Sequence, residues 1–284
     1  IMMPILIVLS VIIAVYSVTR PGALAGVKYF LVPNVKNFSW MTVVSAMGQM
    51  FYSLSIAMGI LITFGSYMKK DTAIEDSTRN VEIFDTGIAI MAGLMIIPAV
   101  FAFSGGDPDT LQAGPSLMFI TIPKVFQNMG FGTVIGIVFF LLVLFAAVTS
   151  SIALTESAVS TFEDELGWGR KKATVLVGVI MLALGSLSSL GYGPLAGIKI
   201  IGMQFLDLFD FLTNSVMMPI AALLTSLFVS RVVGIDKIEA EIIHGESAFR
   251  RKKVFVVMIK YLCPVFAIII LLSSVANALG WIKM

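Results

Sequence analysis

The sequence predicts an all-α integral membrane protein, and three observations support this class. Hydrophobic residues make up 58% of the 284 residues and charged residues only 13%, about half the charged share of soluble proteins. The apolar residues occur in long runs rather than in the short alternating segments of a membrane β-barrel. A chain of this composition holds too few polar residues to cover the surface of a soluble fold.

Charge, cysteine content and motifs exclude several other classes. The 19 basic and 17 acidic side chains nearly cancel to a net charge of +2, so no strongly basic surface points to nucleic acid. A single cysteine, Cys263, excludes a secreted scaffold held by disulfides. The chain contains neither a His-Glu-x-x-His pair nor a Gly-x-Ser-x-Gly elbow. The lone His244 lies in a charged loop, and the sequence predicts that the protein is not an enzyme.

Seven apolar runs are long enough to cross a bilayer, which requires about 20 mostly apolar residues per helix. They are 1–17, 41–67, 83–103, 131–161, 173–193, 208–230 and 254–279. The runs 41–67 and 131–161 are longer than a bilayer requires. These two helices must therefore tilt, extend beyond the bilayer or break.

Lysine and arginine residues predict the orientation of the chain. Twelve of the 19 lie in the loops 68–82, 162–172 and 231–253. Loops rich in basic residues remain in the cytoplasm, so Ile1 is predicted on the cytoplasmic side and Met284 outside. The outer loop 104–130 contains an apolar stretch that is too short to span. It is either a hairpin packed on the outer face of the bundle or an ordinary interfacial loop.

Polar residues inside the predicted spans are the first candidates for function, because polarity is costly in hydrocarbon. The run 41–67 concentrates them: Ser45, Gly48, Gln49, Ser53, Ser55, Gly59 and Thr63. Small residues and hydroxyls of this kind either allow close helix packing or mark a break whose free backbone groups bind an ion or a substrate. No proline marks a break, so the pattern leaves both interpretations open.

A second group of oxygen-bearing residues lies in the run 131–161. Ala146, Thr149 and Ser150 share one helical face at spacing i, i+3, i+4. Hydroxyl and carbonyl oxygens suit a hard cation such as Na⁺ and not zinc or copper. The alternative is hydroxyls that bond back to carbonyls of their own helix, which is common in membrane helices.

Acidic residues in or beside the predicted spans are further candidates. Asp85 is near the cytoplasmic edge of its run by hydropathy, where it is either an exposed acid or a membrane-embedded carboxylate that needs a partner. Asp207 and Asp210 lie at the outer end of the run 208–230, solvated or lining an access vestibule. Glu156 is deep in its run and needs a partner that the sequence does not identify.

Several of these segments, in this order, resemble the neurotransmitter:sodium symporter family, in its bacterial amino-acid transporter branch. Gly48–Ser55 resembles the first half of the family's broken sixth helix, and Phe145–Ala153 resembles its eighth helix. The run from Gly114 to Phe126 and the stretch from Glu163 to Lys171 also fit. The resemblance implies a LeuT-type inverted-repeat bundle, with about seven of an expected eleven transmembrane helices in this chain.

The resemblance also implies the roles of individual residues. Ser53 and Asp85 match the first sodium site, and the Ala146 carbonyl, Thr149 and Ser150 match the second. Asp85 stands where many members have asparagine, and Ala89 lacks a chloride-binding hydroxyl, as in chloride-independent members. Asp210 resembles the outer gate, and Tyr67 and Asp164 the inner gate. The implied substrate contacts are Tyr52, Ser53, Ser55, Ile56, Ala57, Met58, Gly59, Ser151 and Leu154.

The chain departs from the family pattern in two ways. Ala57 stands where a glycine is common, and the first broken helix, which supplies other sodium and substrate contacts, is absent. Residues 1–284 are expected to be one membrane-domain fragment that lacks the N-terminal helices of the same protein. Within it, 1–17 closes the first repeat, 41–230 forms the second and 254–279 is an additional helix.

The expected function is sodium-coupled symport of a neutral, hydrophobic or aromatic amino acid by alternating access, without chloride. Its partners are the amino acid, two sodium ions and the lipid bilayer, in a multi-pass protein of the bacterial inner or plasma membrane. An ion channel and a non-transporting structural membrane subunit are the alternatives. No selectivity filter of the kind used by channels is visible in the sequence.

Overall fold

The computed structural model describes residues 2–35, 38–104, 114–115, 117–127, 130–246, 248–279 and 281. Within these ranges the protein is all-helical, apart from one isolated β-bridge between Ile200 and Met203. The predicted fold class is confirmed. The helices are α1 (Met2–Val18), α2 (Ala23–Leu31), α3 (Trp40–Ser53), α4 (Ile60–Ser66), α5 (Ile74–Ser104), α6 (Leu117–Gln127), α7 (Gly132–Leu166), α8 (Arg170–Leu190), α9 (Phe205–Val233), α10 (Ile235–Gly245) and α11 (Lys252–Ala278).

Each of the seven predicted runs corresponds to helical structure. Five are the long apolar helices α5, α7, α8, α9 and α11. The first run forms α1, which is followed by α2 at an angle of 115°. The run 41–67 is divided into α3 and α4, so of the three predicted ways to accommodate its length, the chain breaks the helix.

Two predicted loops contain more helix than hydropathy indicated. α5 begins at Ile74, nine residues before its apolar run, and the loop 231–253 contains α10. Hydropathy detects only the part of a helix that is apolar, whereas polar residues also form helical turns outside hydrocarbon. Glu75 and Asp76 in the first turn of α5 stabilise its N-terminus through the helix dipole.

The described residues form two compact units. Unit 1 comprises 1–38 and 82–151. Its core contains Ile13 of α1, Val100 of α5 and Phe139 of α7. The short helix α6 buries Val125 and Phe126 in this core, and the Phe126 ring meets the Phe139 ring edge-on at 5.4 Å. The part of the loop 104–130 that forms α6 is therefore packed against the bundle. Residues 105–113, 116 and 128–129 lie outside the described ranges, so the predicted hairpin remains a prediction.

Unit 2 comprises 39–81 and 152–284. One core cluster joins Phe51 of α3, Met218 of α9 and Ile270 of α11. A second cluster joins Val159 of α7 to Ala173 and Val177 of α8. The first cluster packs α3 against α9 and α11, and the second packs the C-terminal part of α7 against α8.

Two glutamates link the start of α5 to the chain that precedes α11. The Glu246 carboxylate accepts hydrogen bonds from the backbone amides of Glu75 (2.6 Å) and Asp76 (3.3 Å). The Glu75 carboxylate in turn accepts from the amides of Arg250 (2.8 Å) and Arg251 (3.1 Å). Each carboxylate thus accepts from backbone amides next to the other glutamate. These amides lie at or just before a helix start, where they have no intrahelical acceptor.

Glu75→Ala is expected to lower the melting temperature of the protein in detergent, because two backbone amides lose a charged acceptor whose side chain is only 10% exposed. Loss of such a capping interaction typically costs about 0.5–2 kcal/mol. Asp71→Ala, an exposed acid in the preceding loop, is the matched control. Equal melting temperatures for the two variants would contradict the structural role of Glu75.

Candidate functional site

The centre of the candidate site is the break between α3 and α4. The helical hydrogen bonds of α3 end at Leu54, and α4 begins only at Ile60. Three residues in between have left-handed backbone conformations: Ser55 (φ 52°), Ala57 (φ 63°) and Gly59 (φ 80°). A left-handed conformation costs an L-residue roughly 1–2 kcal/mol, so two of these residues hold a strained backbone. Such strain is typical of functional segments.

The broken segment leaves backbone groups outside regular helical bonding. The Ile56 amide reaches back to the Phe51 carbonyl at 3.0 Å, and the Thr63 amide bonds the Gly59 carbonyl at 2.9 Å as α4 begins. Non-helical backbone at membrane depth occurs where it is buried in protein or lines a water-filled cavity. Ala57 adopts a left-handed conformation although it lacks the freedom of the glycine common in the family.

Seven of the residues predicted to contact substrate lie in the last turn of α3 and in the break itself. Tyr52 and Ser53 are exposed in the last turn of α3, and the residues from Ser55 to Gly59 are half-buried. All of them belong to unit 2. On α7, Ser151 is half-buried and Leu154 is exposed. Their predicted contact with substrate remains a prediction.

The predicted second sodium site lies on α7, within unit 1. The Thr149 hydroxyl donates to the Ala146 carbonyl at 2.9 Å and to the Phe145 carbonyl at 3.1 Å. This bonding within one turn is the alternative that the sequence left open. It does not remove the acceptor capacity of the Thr149 oxygen, because a hydroxyl that donates its hydrogen keeps its lone pairs for a cation.

The chemistry of these α7 groups suits an alkali cation. The Ala146 carbonyl and the Thr149 hydroxyl are adjacent neutral oxygens, and Ser150 adds an exposed third oxygen on the same helix. Among the residues that the structure describes, no group of three or more His, Cys, Asp or Glu could hold a metal ion. The donor set is therefore one of oxygens for a hard ion, not of nitrogen and sulfur for a transition metal.

Asp85 lies inside α5 and not at its end. The helix begins 11 residues earlier at Ile74, which places Asp85 about 16 Å along the axis from the helix start. Its side chain is half-buried, and it belongs to unit 1 together with the α7 oxygens. Hydropathy placed this residue near a helix edge because the first turns of α5 are polar.

A network of charged and hydroxyl groups lies near the predicted cytoplasmic end of unit 2. Tyr67, just after α4, donates its hydroxyl proton to Glu156 of α7 at 2.8 Å. Arg170, the first residue of α8, pairs with Glu156 at 2.5 Å and with Glu163 at 3.3 Å. Tyr67 and Arg170 are therefore the partners that Glu156 requires. This network joins the C-terminal end of α4 to α7 and α8.

The sequence contains a pattern that indicates Arg170 as the partner of Glu156, although it was not used above. Glu156 and Glu163 are seven residues apart and lie on one face of α7, and the chain then reverses through Gly167 and Gly169 to Arg170. Such a short connection returns the next helix alongside the previous one. Asp164, the other predicted inner-gate residue, is exposed on α7. Among the contacts between described residues, Tyr67 pairs with Glu156 and not with Asp164.

Asp210, the predicted outer-gate acid, borders a cavity of about 260 Å³ between α9 and α11. Its lining includes Asp207, Asp210, Ser215, Ser274 and Asn277. The Asn214 amide donates to the Asp210 carboxylate at 2.5 Å. Both acids therefore line this cavity. That it serves as an access vestibule remains a prediction.

A membrane helix that is broken at its centre and accompanied by long apolar helices is the architecture of the LeuT fold. A sequence profile of the Sodium:neurotransmitter symporter family matches residues 1–281, and the chain belongs to this family. The family is one of transporters and not of enzymes. The chain is a multi-pass protein of the bacterial cell membrane.

Individual relatives agree with this assignment. The chain is 33% identical over 276 residues to the uncharacterized sodium-dependent transporter YhdH of Bacillus subtilis, covering 97% of this chain and 60% of that protein. It is 30% identical over 275 residues to an uncharacterized sodium-dependent transporter of Haemophilus influenzae, covering 96% of this chain and 59% of the relative. The chain thus spans about three-fifths of the length of these relatives.

A solved structure shows the same fold. The chain superposes on MhsT, crystallised in complex with L-phenylalanine, with a TM-score of 0.83 and 34% sequence identity. The superposition covers 96% of this chain and 61% of MhsT.

Proposed function

We propose that the complete protein is a sodium-coupled symporter of neutral amino acids that are hydrophobic or aromatic, that it works by alternating access, and that it requires no chloride. The observation that carries this proposal is the break at residues 54–59, with three left-handed residues in a membrane helix. In transporters of this type, broken helices supply the backbone groups that bind substrate and coupling ions near the bilayer centre.

The proposed substrate class rests on the side chains around the break. Ile56 and Met58 are apolar and half-buried, and the segment from Tyr52 to Gly59 contains no acidic or basic residue. A charged substrate side chain would find no counter-ion among them, whereas an apolar one would be accommodated. MhsT, at 34% identity, was crystallised with L-phenylalanine, which supports the aromatic end of this range.

The proposed ion coupling uses two sodium sites. Ser53 and Asp85 contribute to the first, and the Ala146 carbonyl, Thr149 and Ser150 contribute to the second. Both are completed by ligands from the part of the relatives' length that this chain does not span. Two monovalent cations that enter with a potential of 100 mV supply about 4.6 kcal/mol, before their concentration gradient is counted.

We propose that the Asp85 carboxylate makes transport independent of chloride. A fixed carboxylate beside the first sodium ion supplies the negative charge that a bound chloride supplies in other members. Alternating access further requires that the sodium ions bind more tightly to the outward-facing state with substrate than to the other state, because ligands shift an equilibrium only by differential affinity.

The proposal is tested by uptake of radiolabelled L-phenylalanine into vesicles that contain the complete transporter. The expected result is uptake that requires an inward sodium gradient, fails with choline in place of sodium, and is unchanged when gluconate replaces chloride. Uptake that is strongly chloride-dependent would reject the role of Asp85. Sodium currents without amino-acid uptake would indicate a channel, and neither activity would indicate a structural subunit.

The double variant Thr149→Ala, Ser150→Ala is expected to weaken sodium activation of uptake by roughly tenfold or more, since even outer-shell metal partners are worth this much. The amino-acid affinity at saturating sodium should change less. Ser188→Ala is the matched control, because its hydroxyl bonds back to the Leu184 carbonyl at 3.0 Å on another helix. Unchanged sodium dependence in the double variant would remove the α7 hydroxyls from the site.

A further inference from the structure

The lower end of the broken segment lies directly against α7, within unit 2. A Cβ atom built on Gly59 would lie 2.6 Å from the Ser157 hydroxyl oxygen, which is closer than real Cβ contacts. The same hydroxyl lies 3.5 Å from the Met58 carbonyl oxygen, within reach of a long hydrogen bond. Ser157 is 6% exposed. A single buried hydroxyl therefore faces two successive residues of the broken segment.

Ser157 is also connected to the first turn of α4. The Thr63 hydroxyl lies 3.5 Å from the Ser157 hydroxyl and 3.3 Å from the Ser160 hydroxyl. Thr63 is 9% exposed, so water does not readily replace these contacts. The hydroxyls consequently connect α7 to the chain on both sides of Gly59: at residue 58 before it and at residue 63 after it.

The Met58 carbonyl has a particular need for this partner. The Thr63 amide bonds the Gly59 carbonyl as α4 begins, so Met58 precedes the regular bonding of the helix. A backbone carbonyl at membrane depth is normally satisfied by some donor. A hydroxyl on a rigid neighbouring helix satisfies it only when the segment has one orientation, because a hydrogen bond weakens steeply with distance and angle.

We propose that Ser157 is a positioning residue that sets the backbone path of residues 54–59. It touches neither ion nor substrate; its hydroxyl holds the Met58 carbonyl, and the bare Cα of Gly59 allows α7 to approach closely enough for this contact. Its consequence for amino-acid binding rests on the proposed function. The backbone path itself does not.

The first experiment compares Ser157→Ala with Ser160→Ala in the complete transporter, and both substitutions remove one hydroxyl from α7. Hydrogen exchange of amides 54–62, in sodium without amino acid, is expected to be about twofold faster in Ser157→Ala, the low end of what one hydrogen bond provides, because this bond is long. L-phenylalanine affinity should fall by a similar factor. Ser160→Ala should leave both quantities near wild type, because Ser160 contacts Thr63 and not Met58.

The second experiment tests the close approach. Gly59→Ala is expected to lose most binding and uptake, because the new Cβ collides with Ser157 and the residue has φ 80°. Adding Ser157→Gly removes the colliding oxygen, and the double variant is expected to regain part of the lost activity. Gly65→Ala is the control, since a Cβ there would meet no atom within 4 Å.

These outcomes separate the positioning role from the proposed function. Exchange in Ser157→Ala equal to wild type would overturn the positioning role. A double variant with no more binding or uptake than Gly59→Ala would overturn the proposed close approach of Ser157 to residue 59. If wild-type protein shows no sodium-dependent L-phenylalanine binding, the proposed substrate is wrong. In that case, faster exchange in Ser157→Ala would still support the positioning role.

Discussion

Asp85→Asn is expected to weaken sodium activation of uptake by about thirtyfold or more and to make the remaining uptake depend on chloride. A unit charge 4 Å from a cation contributes about 4 kcal/mol at an effective dielectric constant of 20, and half of that energy corresponds to about thirtyfold in affinity. Asparagine keeps the size and one oxygen of the side chain. The variant therefore removes the charge with little change in packing.

The measurement is sodium-dependent L-phenylalanine uptake at several sodium concentrations, with and without chloride. Asp76→Asn, an exposed acid in the first turn of the same helix, is the matched control and should behave as wild type. If Asp85→Asn retains wild-type sodium activation in chloride-free buffer, the carboxylate does not serve the first sodium site.

Arg170→Ala is expected to lower the uptake rate by about tenfold, a typical magnitude for coupling between sites. Without Arg170, the Glu156 carboxylate keeps only the Tyr67 hydroxyl among the partners described above. The Arg170–Glu156 ion pair between α8 and α7 then no longer holds the Glu156 carboxylate in place to accept the hydrogen bond from Tyr67. The predicted cytoplasmic end opens more readily, and the apparent sodium affinity falls because fewer molecules are in the outward-facing state.

Two further variants decide whether the charge of Arg170 acts through Glu156. Lys171→Ala removes a neighbouring exposed cation and should leave uptake unchanged. The exchange variant Glu156→Arg, Arg170→Glu should recover more uptake than either single charge reversal. Equal loss in Lys171→Ala and Arg170→Ala would show that only the general positive charge of this loop matters.

The sequence predicted helices better than it predicted contacts. All seven apolar runs contain helix, because the length of an apolar run directly reflects the thickness of hydrocarbon, and only the run 41–67 is interrupted, at residues 54–59. The beginning of α5 at Ile74 was missed because its first turns are polar, and polarity carries no such length signal. The left-handed conformations of Ser55 and Ala57 were also missed from residue type, since neither residue favours φ above zero.

In the candidate site too, features within one helix were predicted and contacts between helices were not. Residue types and spacing placed Ala146 and Thr149 together correctly, because i and i+3 are neighbours on any helix. The Tyr67–Glu156–Arg170 network depends instead on which helices pack side by side, and the spacing within one helix does not determine this. The role proposed for Ser157 depends on an approach of a few ångströms between α7 and Gly59, which no pattern in the sequence indicates.

The mutual bonding of Glu75 and Glu246 has a practical consequence for engineering this transporter. The chain between Glu246 and Arg250 is a short connection that follows an amphipathic helix, so it looks suited to an epitope tag or a protease site. An insertion there would separate Glu246 from the amides of Arg250 and Arg251, which donate to the Glu75 carboxylate. The start of α5 and the chain that precedes α11 would then both lose hydrogen bonds. A tag inserted for labelling alone would therefore disturb the helix that carries Asp85.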